Sequence, residues 1–486
     1  MAERGAMSIG VKLAGESVPP LVVDLDGTLI RTDLLVESLF AYLGADPFRF
    51  LWLATALRSG KAPFKAEIAR RVAIDPVHLP YDERVLSLIR AARDNGGRVF
   101  LASASNERYV RDVAEHLGFF DGWFASTDSE NLSSSAKARR LVQAFGEKGF
   151  DYIGNDRADL PVWSSANRSI AVGPSASVRT LLEAADQSAV VLEPQIGGLR
   201  AWIKLLRVHQ WVKNALLFLA IFAAHRFDLG SAAEATTAAI SFSLAASSIY
   251  VLNDLVDLDA DRRHRSKRRR PLAAGTVSVR RAIVVAPALL AAALAIGFIV
   301  SIAFVAVLLA YLALTTAYTF YLKRKMMVDI VALASLYTLR VIAGAVAIGV
   351  VPSEWILAIS MFIFTAMALI KRYVELAARV DAGLPDPANR NYRKSDLNVL
   401  GALAAASGFN AVTVFALYIS SDTVHRLYRH PQALWLICPI LLYWIGRALM
   451  MAERRLMDDD PIVFAIKDWN SLLSFALIGF VMIAAA

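Results

Sequence analysis

Two hydrophobic patterns divide the chain. From Leu21 to about Gly173 the apolar residues come in short β-prone runs bounded by turn residues: LVVDLDG (21–27), RVFLAS (98–103), DYIGND (151–156) and SIAVG (169–173). Stretches of helical period separate them, which predicts an α/β domain over 21–175 with a parallel sheet and crossover helices. Residues 33–84 read as a mostly helical insertion before the second strand, 1–20 as an N-terminal tail and 176–200 as a linker. After Arg200 the apolar runs lengthen. Nine candidate membrane spans follow, near 212–225, 232–252, 281–300, 302–321, 328–349, 354–373, 398–419, 433–450 and 470–486. Several are close to the minimum for crossing ~30 Å of hydrocarbon.

Composition agrees with a half-membrane chain. Of 486 residues, 56% are hydrophobic, and the mean hydropathy is +0.47. Residues 1–200 hold 23 Lys and Arg against 25 Asp and Glu, whereas 201–486 hold 29 against 18. A basic membrane half points to anionic headgroups, phosphorylated substrates or topology signals, and no nucleic-acid partner is expected. With the N-terminus inside, the cytoplasmic loops carry 22 Lys and Arg and the opposite loops 3. The first 20 residues lack a continuous apolar core, so no secretory leader is expected. Together these place a multi-pass protein in the inner (plasma) membrane, with its N-terminal domain on the cytoplasmic side. The single cysteine, Cys438, excludes an internal disulfide.

The first chemical signal is DLDGT at 24–28, directly after an apolar β run. Alternation along a strand puts Asp24 and Asp26 on one side where the strand ends. Two carboxylates there can hold Mg²⁺ while one attacks phosphorus and the other handles a proton. Ser103 at a strand end, Lys137, and GNDRAD at 154–159 follow in order. This set resembles the haloacid dehalogenase (HAD) superfamily over about residues 20–175. The resemblance implies Asp24 as nucleophile, Asp26 as general acid/base, Ser103 and Lys137 as phosphoryl-binding groups, and Asp159 as support for the metal site. The helical insertion at 33–84 would be a substrate-selecting cap. Where the superfamily usually has GD, this chain has Gly154-Asn155. Asn155 could offer an amide oxygen to the metal, or Asp156 could rotate in. A HAD fold kept only for docking is the bland alternative.

The second signal is NDLVDLDAD at 253–261, at the end of an apolar run. Asn253, Asp254, Asp257 and Asp261 fall at helical spacings, so a continuous helix would bring them to one side. Such acids at a membrane surface repel one another without a cation, and hard carboxylate oxygens suit Mg²⁺ shared with substrate phosphates. The motif NDxxDxxxD, the basic RRHRSKRRRP (262–271) behind it and the span count resemble the UbiA superfamily of intramembrane prenyltransferases, over about residues 200–486.

Members of that superfamily normally carry a second Asp-rich motif, DxxxD. Here the matching region, 318–345, holds one acid, Asp329, with Leu at 333, and presents Lys323 and Arg340 instead. LRVHQWVKN (206–214) supplies His209, Lys213 and Asn214, and LIKRYVELAAR (369–379) supplies Lys371, Arg372 and Glu375. RNYRKSD (390–396) and DDDPIVFAIKD (458–468) fill later loops. These features resemble the decaprenyl-phosphate phosphoribosyltransferase branch of UbiA. That resemblance implies transfer of 5-phosphoribose from phosphoribosyl diphosphate (PRPP) to a polyprenyl phosphate. Asp254, Asp257 and Asp261 would hold Mg²⁺ on the diphosphate. Asn253, Lys213, Asn214, Lys323, Asp329, Arg340, Lys371 and Arg372 would hold the substrates.

Each basic group also has a plainer reading. Lys323 and Arg268–Arg270 lie where topology signals belong, and Arg340, mid-span by count, would pair structurally with Asp329 or Glu375. The combined expectation is a bifunctional enzyme with Mg²⁺ in both domains, its HAD part removing the 5-phosphate to give polyprenyl-phosphoryl ribose for cell-envelope glycans. The alternative is a UbiA-type aromatic prenyltransferase using a prenyl diphosphate for quinone-type lipids, with an accessory HAD domain. A non-enzymatic lipid-binding scaffold leaves the five aspartates unexplained. Membrane lipids are expected partners, and a homo-oligomer is compatible with the sequence.

Overall fold

The computed structural model describes residues 18–45, 49, 60–193, 197–387, 390–457 and 461–485. Most of the expected tail, part of the cap insertion (46–48 and 50–59) and the start of DDDPIVFAIKD lie outside the described residues. The chain forms two compact units. One comprises residues up to Leu205 together with Asp254–Ile283, and the other comprises Leu206–Asn253 and Val284–Ala486.

The first unit is built on a six-stranded sheet: β1 (Leu21–Asp24), β2 (Val99–Asn106), β3 (Gly122–Ser126), β4 (Asp151–Gly154), β5 (Arg168–Val172) and β6 (Val190–Leu192). Its order is β3-β2-β1-β4-β5-β6, and every pairing is parallel. β1 is central, and all four of its residues are buried, which accounts for its unbroken LVVD run. On one side of β1 the chain proceeds to β2, and on the other to β4. The carboxyl end of β1 is therefore a topological switch point, where open α/β sheets place their ligands.

The helices are α1 (Leu34–Ala45), α2 (Lys61–Arg71), α3 (Glu83–Asp94), α4 (Glu107–Leu117), α5 (Ser135–Phe145), α6 (Leu160–Ser165) and α7 (Ala176–Ala185). Asp82 and Asn106 accept backbone N–H bonds at the starts of α3 and α4. Residues 176–200, expected as a linker, instead supply α7 and β6, and β6 pairs with β5 from Ile170↔Val190 to Val172↔Leu192. The run Ala189–Leu192 is short but wholly apolar, and it covers the far edge of the sheet.

Segment Asp254–Ile283 packs within this same unit. The buried Arg262 guanidinium forks the buried Glu37 carboxylate of α1 at 2.6 and 2.5 Å. Thr32 donates to the same carboxylate.

The remaining helices are α8 (Leu199–Leu205), α9 (Leu219–Ala223), α10 (Leu229–Val256), α11 (Leu258–Arg263), α12 (Val279–Val300), α13 (Ile302–Phe320), α14 (Val328–Ala347), α15 (Glu354–Asp381), α16 (Leu397–Ile419), α17 (Asp422–Leu427), α18 (Ile437–Glu453), α19 (Pro461–Lys467) and α20 (Trp469–Ala485). Among the described residues, seven helices are long and apolar enough to cross a membrane, and up to nine spans result if two bent pairs count as one span each. The expected first span is not one regular helix: Val208–Phe218 is a 3₁₀ stretch that runs into α9. Gly344 of α14 lets that stretch approach closely, since a Cβ there would lie 2.0 Å from the Leu217 carbonyl oxygen.

Candidate active sites

The first site forms at the carboxyl end of β1. Asp24 ends the strand; its Oδ1 accepts from Lys137 Nζ at 2.7 Å and its Oδ2 from Thr28 Oγ1 at 3.2 Å. Asp26 accepts from the Leu34 N–H at 2.8 Å, Ser103 Oγ at 3.1 Å and Ser105 Oγ at 2.6 Å. The turn that follows Asp26 needs Gly27, whose φ is +81°, and a Cβ there would strike the Asn155 amide. Lys137 also reaches Asp159 at 3.4 Å and Tyr152 OH at 2.9 Å.

Electrostatics follow from this burial. Desolvation pushes Asp24 up to about 7 despite the lowering pull of Lys137. Desolvation and then the neighbouring Asp33 push Asp26 up to about 6. Asp159 is equally buried, yet Lys137, Tyr152 and two backbone N–H groups hold it below the usual carboxylate range. Burial alone would lower Lys137, but Asp24 and Asp159 hold its ammonium above the usual lysine range. One cavity of about 170 Å³ therefore faces a carboxylate nucleophile candidate, a second carboxyl able to carry a proton near neutrality, and ammonium groups for a phosphate.

Ser103 is wholly buried under Asp26, and Ser105 lines the cavity. The repeat LASAS (101–105) puts both serines on one face of β2, which is why spacing alone singles out neither. Lys65, from α2 in the expected cap, also lines the cavity and donates to the Ala104 carbonyl and to Asn131 Oδ1, both at 2.7 Å.

The acids of NDLVDLDAD do not lie along one continuous helix. α10 ends at Val256 and Asp257 stands at the break before α11. Asp254 and Asp261, both buried, are brought together by Arg270, whose Nη1 lies 3.1 Å from Asp254 Oδ1 and 2.6 Å from Asp261 Oδ2. Asn253 and Asp257 are half-buried nearby in the chain. Arg268 and Arg269 are exposed. Sequence reasoning grouped Arg270 with the topology signals; the turn that follows α11 is what carries it back to the acids.

Within the membrane unit, a second cluster centres on Asp329. Arg372 Nε donates to it at 2.7 Å and Tyr392 OH at 2.6 Å, with Arg390 Nη1 at 3.6 Å. Arg372 also pairs with Glu375 and takes in Tyr318 OH at 3.0 Å. The expected pairing of Arg340 with Asp329 or Glu375 is not found. Arg340 instead donates to Asn214 Oδ1 at 3.0 Å, the Leu336 carbonyl at 2.6 Å and Tyr311 OH at 3.2 Å. Its guanidinium lies 5.0–5.5 Å from the ring centroids of Tyr311, Phe242 and Tyr337. It stands about three turns along α14 from Asp329, out of reach of the acid that Arg372 holds. Lys213 is buried beside Tyr337, while Lys323 and Lys371 are half-buried.

No three His, Cys, Asp or Glu side chains converge tightly on one point among the described residues. The donor chemistry nonetheless fits a hard cation at both places. Asp24 and Asn155 present oxygens to the first cavity, whereas Asp159 is already taken by four donors. In the second place a cation, the Arg270 guanidinium, already bridges two buried carboxylates.

A family model described as UbiA prenyltransferase family matches residues 214–465, and one described as haloacid dehalogenase-like hydrolase matches residues 21–163. The chain belongs to the UbiA prenyltransferase family. This UbiA-family chain is an integral membrane protein carrying a HAD phosphatase-like domain at its N-terminal end. It is 34% identical to the Sinorhizobium fredii protein called "Uncharacterized protein y4nM", over 96% of this chain and 91% of that one. It is 39% identical to a decaprenyl-phosphate phosphoribosyltransferase of Mycobacterium tuberculosis, over 38% of this chain and 64% of that one. Among solved structures, a UbiA homologue from Archaeoglobus fulgidus bound to GPP and Mg²⁺ is similar with a TM-score of 0.44 and 19% identity. It covers 58% of this chain and 99% of that one. Both UbiA and HAD families typically depend on Mg²⁺.

Proposed function

We propose that the membrane half transfers 5-phosphoribose from PRPP to a polyprenyl phosphate, releasing diphosphate. The observation that carries this reading is the state of Asp329. Its carboxylate is held by Arg372, Tyr392 and Arg390, so this region offers cations where a second Asp-rich metal motif would offer anions. A substrate pair bearing a diphosphate, a 5-phosphate and a lipid phosphate needs cations in that place, and Arg can fork a phosphate where Lys acts as a point charge. The 39% identity to a phosphoribosyltransferase points the same way. Asp254, Asp257 and Asp261 would hold Mg²⁺, which supplies charge neutralisation to the diphosphate leaving group. Asn253, Lys213, Asn214, Lys323, Arg340, Lys371 and Arg372 are the proposed substrate-binding groups.

In the second step the HAD domain removes the 5-phosphate. Asp24 Oδ would attack phosphorus, the bond from phosphorus to the ribose 5-oxygen would break, and Asp26 would deliver the proton to that oxygen. Water, deprotonated by Asp26, would then release phosphate from Asp24. Lys137 and Ser105 hold the phosphoryl oxygens, with Ser103 positioning Asp26. Both sites are proposed to face the cytoplasm. The lipid would serve as a pentose donor for envelope glycans.

The test uses the whole chain in detergent with Mg²⁺, PRPP labelled in the ribose carbons and decaprenyl phosphate, with mass spectrometry of the lipid fraction. The expected result is a ribosyl lipid that disappears with Asp254→Ala and retains its 5-phosphate with Asp24→Asn. Absence of label in lipid, with transfer from a prenyl diphosphate to an aromatic acid instead, would favour the prenyltransferase alternative.

A further inference from the structure

Two cavities of the N-terminal unit share a wall. The smaller is the phosphatase cavity of about 170 Å³, and the larger, of about 320 Å³, adjoins it. Asp33, Asn155, Asp156 and Arg280 line both. Arg280 belongs to the segment that follows NDLVDLDAD, so this wall is partly built by residues far beyond the HAD match in sequence.

Their charge balances differ in sign. The smaller cavity sets Asp24, Asp26, Asp33, Asp156 and Asp159 against Lys65, Lys137 and Arg280, an acidic excess suited to a metal ion. The larger sets Arg31, Arg84, Arg280 and Arg281 against Asp33, Asp82 and Asp156, a basic excess. Arg84 is committed to Asp82 at 2.7 Å. Arg280 gives Nε to Asp33 and Nη1 to Asp156, both at 2.7 Å. That leaves its Nη2 and the whole Arg281 guanidinium without a hydrogen-bond or ion-pair partner among the described residues. Both residues are exposed, so these donors face solvent on a concave wall, and a guanidinium so placed can fork a phosphate.

We infer that the larger cavity is a subsite for a second anionic group, so that the HAD site selects a sugar carrying two phosphates and hydrolyses the one that reaches Asp24. Arg280 and Arg281 are its specificity-determining residues. This inference rests on the phosphatase reading above and narrows its substrate to the bis-phosphorylated class, of which a 5-phosphorylated sugar on a lipid phosphodiester is one member.

The experiment measures 5-phosphate release by the full chain in detergent from ribose 5-phosphate and from ribose 1,5-bisphosphate. The expected kcat/KM is at least tenfold higher for the bisphosphate, mainly through KM. Arg281→Ala and Arg280→Gln should each bring the ratio toward one, and Arg281→Lys should restore part of it. Equal kcat/KM for both sugars, or a preference that survives both substitutions, overturns the subsite. If neither sugar is hydrolysed in an Asp24-dependent way, it is the phosphatase reading that fails. Calorimetry of the same sugars with the Asp24→Asn chain then decides the subsite. Tighter, Arg281-dependent binding of the bisphosphate upholds it, whereas equal binding or none overturns it.

Discussion

Arg372 Nε donates to Asp329 Oδ2 across 2.7 Å, and neither side chain is more than 2% exposed. An ion pair this deep contributes little net stability compared with apolar side chains, but losing one partner strands the other. Arg372 keeps Glu375 when Asp329 is removed, so Asp329→Ala should cost about 1–3 kcal/mol, and Asp329→Ala with Arg372→Met should cost less than the sum of the single losses. Thermal unfolding in detergent of the two single variants and the double variant measures it. A double-variant loss equal to the sum of the two single losses would show that the pair is not coupled.

Arg270 stands between Asp254 and Asp261, where a divalent cation would also neutralise both. Replacing it with Gln removes a competing positive charge. The Mg²⁺ concentration giving half-maximal transfer should fall several-fold in Arg270→Gln, with a smaller change in the KM for PRPP. A titration of Mg²⁺ at fixed PRPP, then the reverse, separates the two effects. An unchanged Mg²⁺ dependence would mean that Arg270 does not share the cation's place.

Glu37 and Arg262 form another deeply buried pair, here inside the N-terminal unit. Glu37→Ala leaves a buried guanidinium uncompensated and should cost about 3–5 kcal/mol. Limited proteolysis should then cut within 262–281 at protease concentrations that leave the parent chain whole.

Asp82 offers a pH test. Burial raises its affinity for a proton, but Arg84 and the backbone N–H it caps outweigh that and hold it below the usual carboxylate range. A depressed folded value means that the stabilisation is present above the unfolded pKa of about 3.9 and is lost as pH falls through the folded one. Asp82→Asn keeps the cap and loses the charge. It should lower stability by about 0.5–1 kcal/mol at pH 7, with the gap closing below pH about 4. A gap in Tm that is constant from pH 7 to pH 3 would contradict this.

Much of the α/β half was legible because its signals are local. DLDGT at the end of an apolar run located Asp24 and Asp26 at the carboxyl end of a central strand. What escaped was set by distance along the chain. Lys65, Ser105, Arg270 and Arg280 reach their sites through loop closure, and no periodicity encodes that. The acids of 253–261 were expected to extend along one helix, but the break at Asp257 means that proximity comes from Arg270 instead. Arg340 shows the limit of counting charges within a span. Its partners are Asn214, a carbonyl and three aromatic rings, and no charge rule points to such groups.

The short strand β6 has a practical consequence. Ending the chain near residue 175, where the β-prone runs stop, would strip β5 of its neighbour from Ile170 to Val172. The exposed row of backbone donors and acceptors would then be a template for another copy of the same edge. A boundary past Leu192 keeps β5 covered, but the fragment also needs Asp254–Ile283, because without Arg262 the buried Glu37 carboxylate loses its cation.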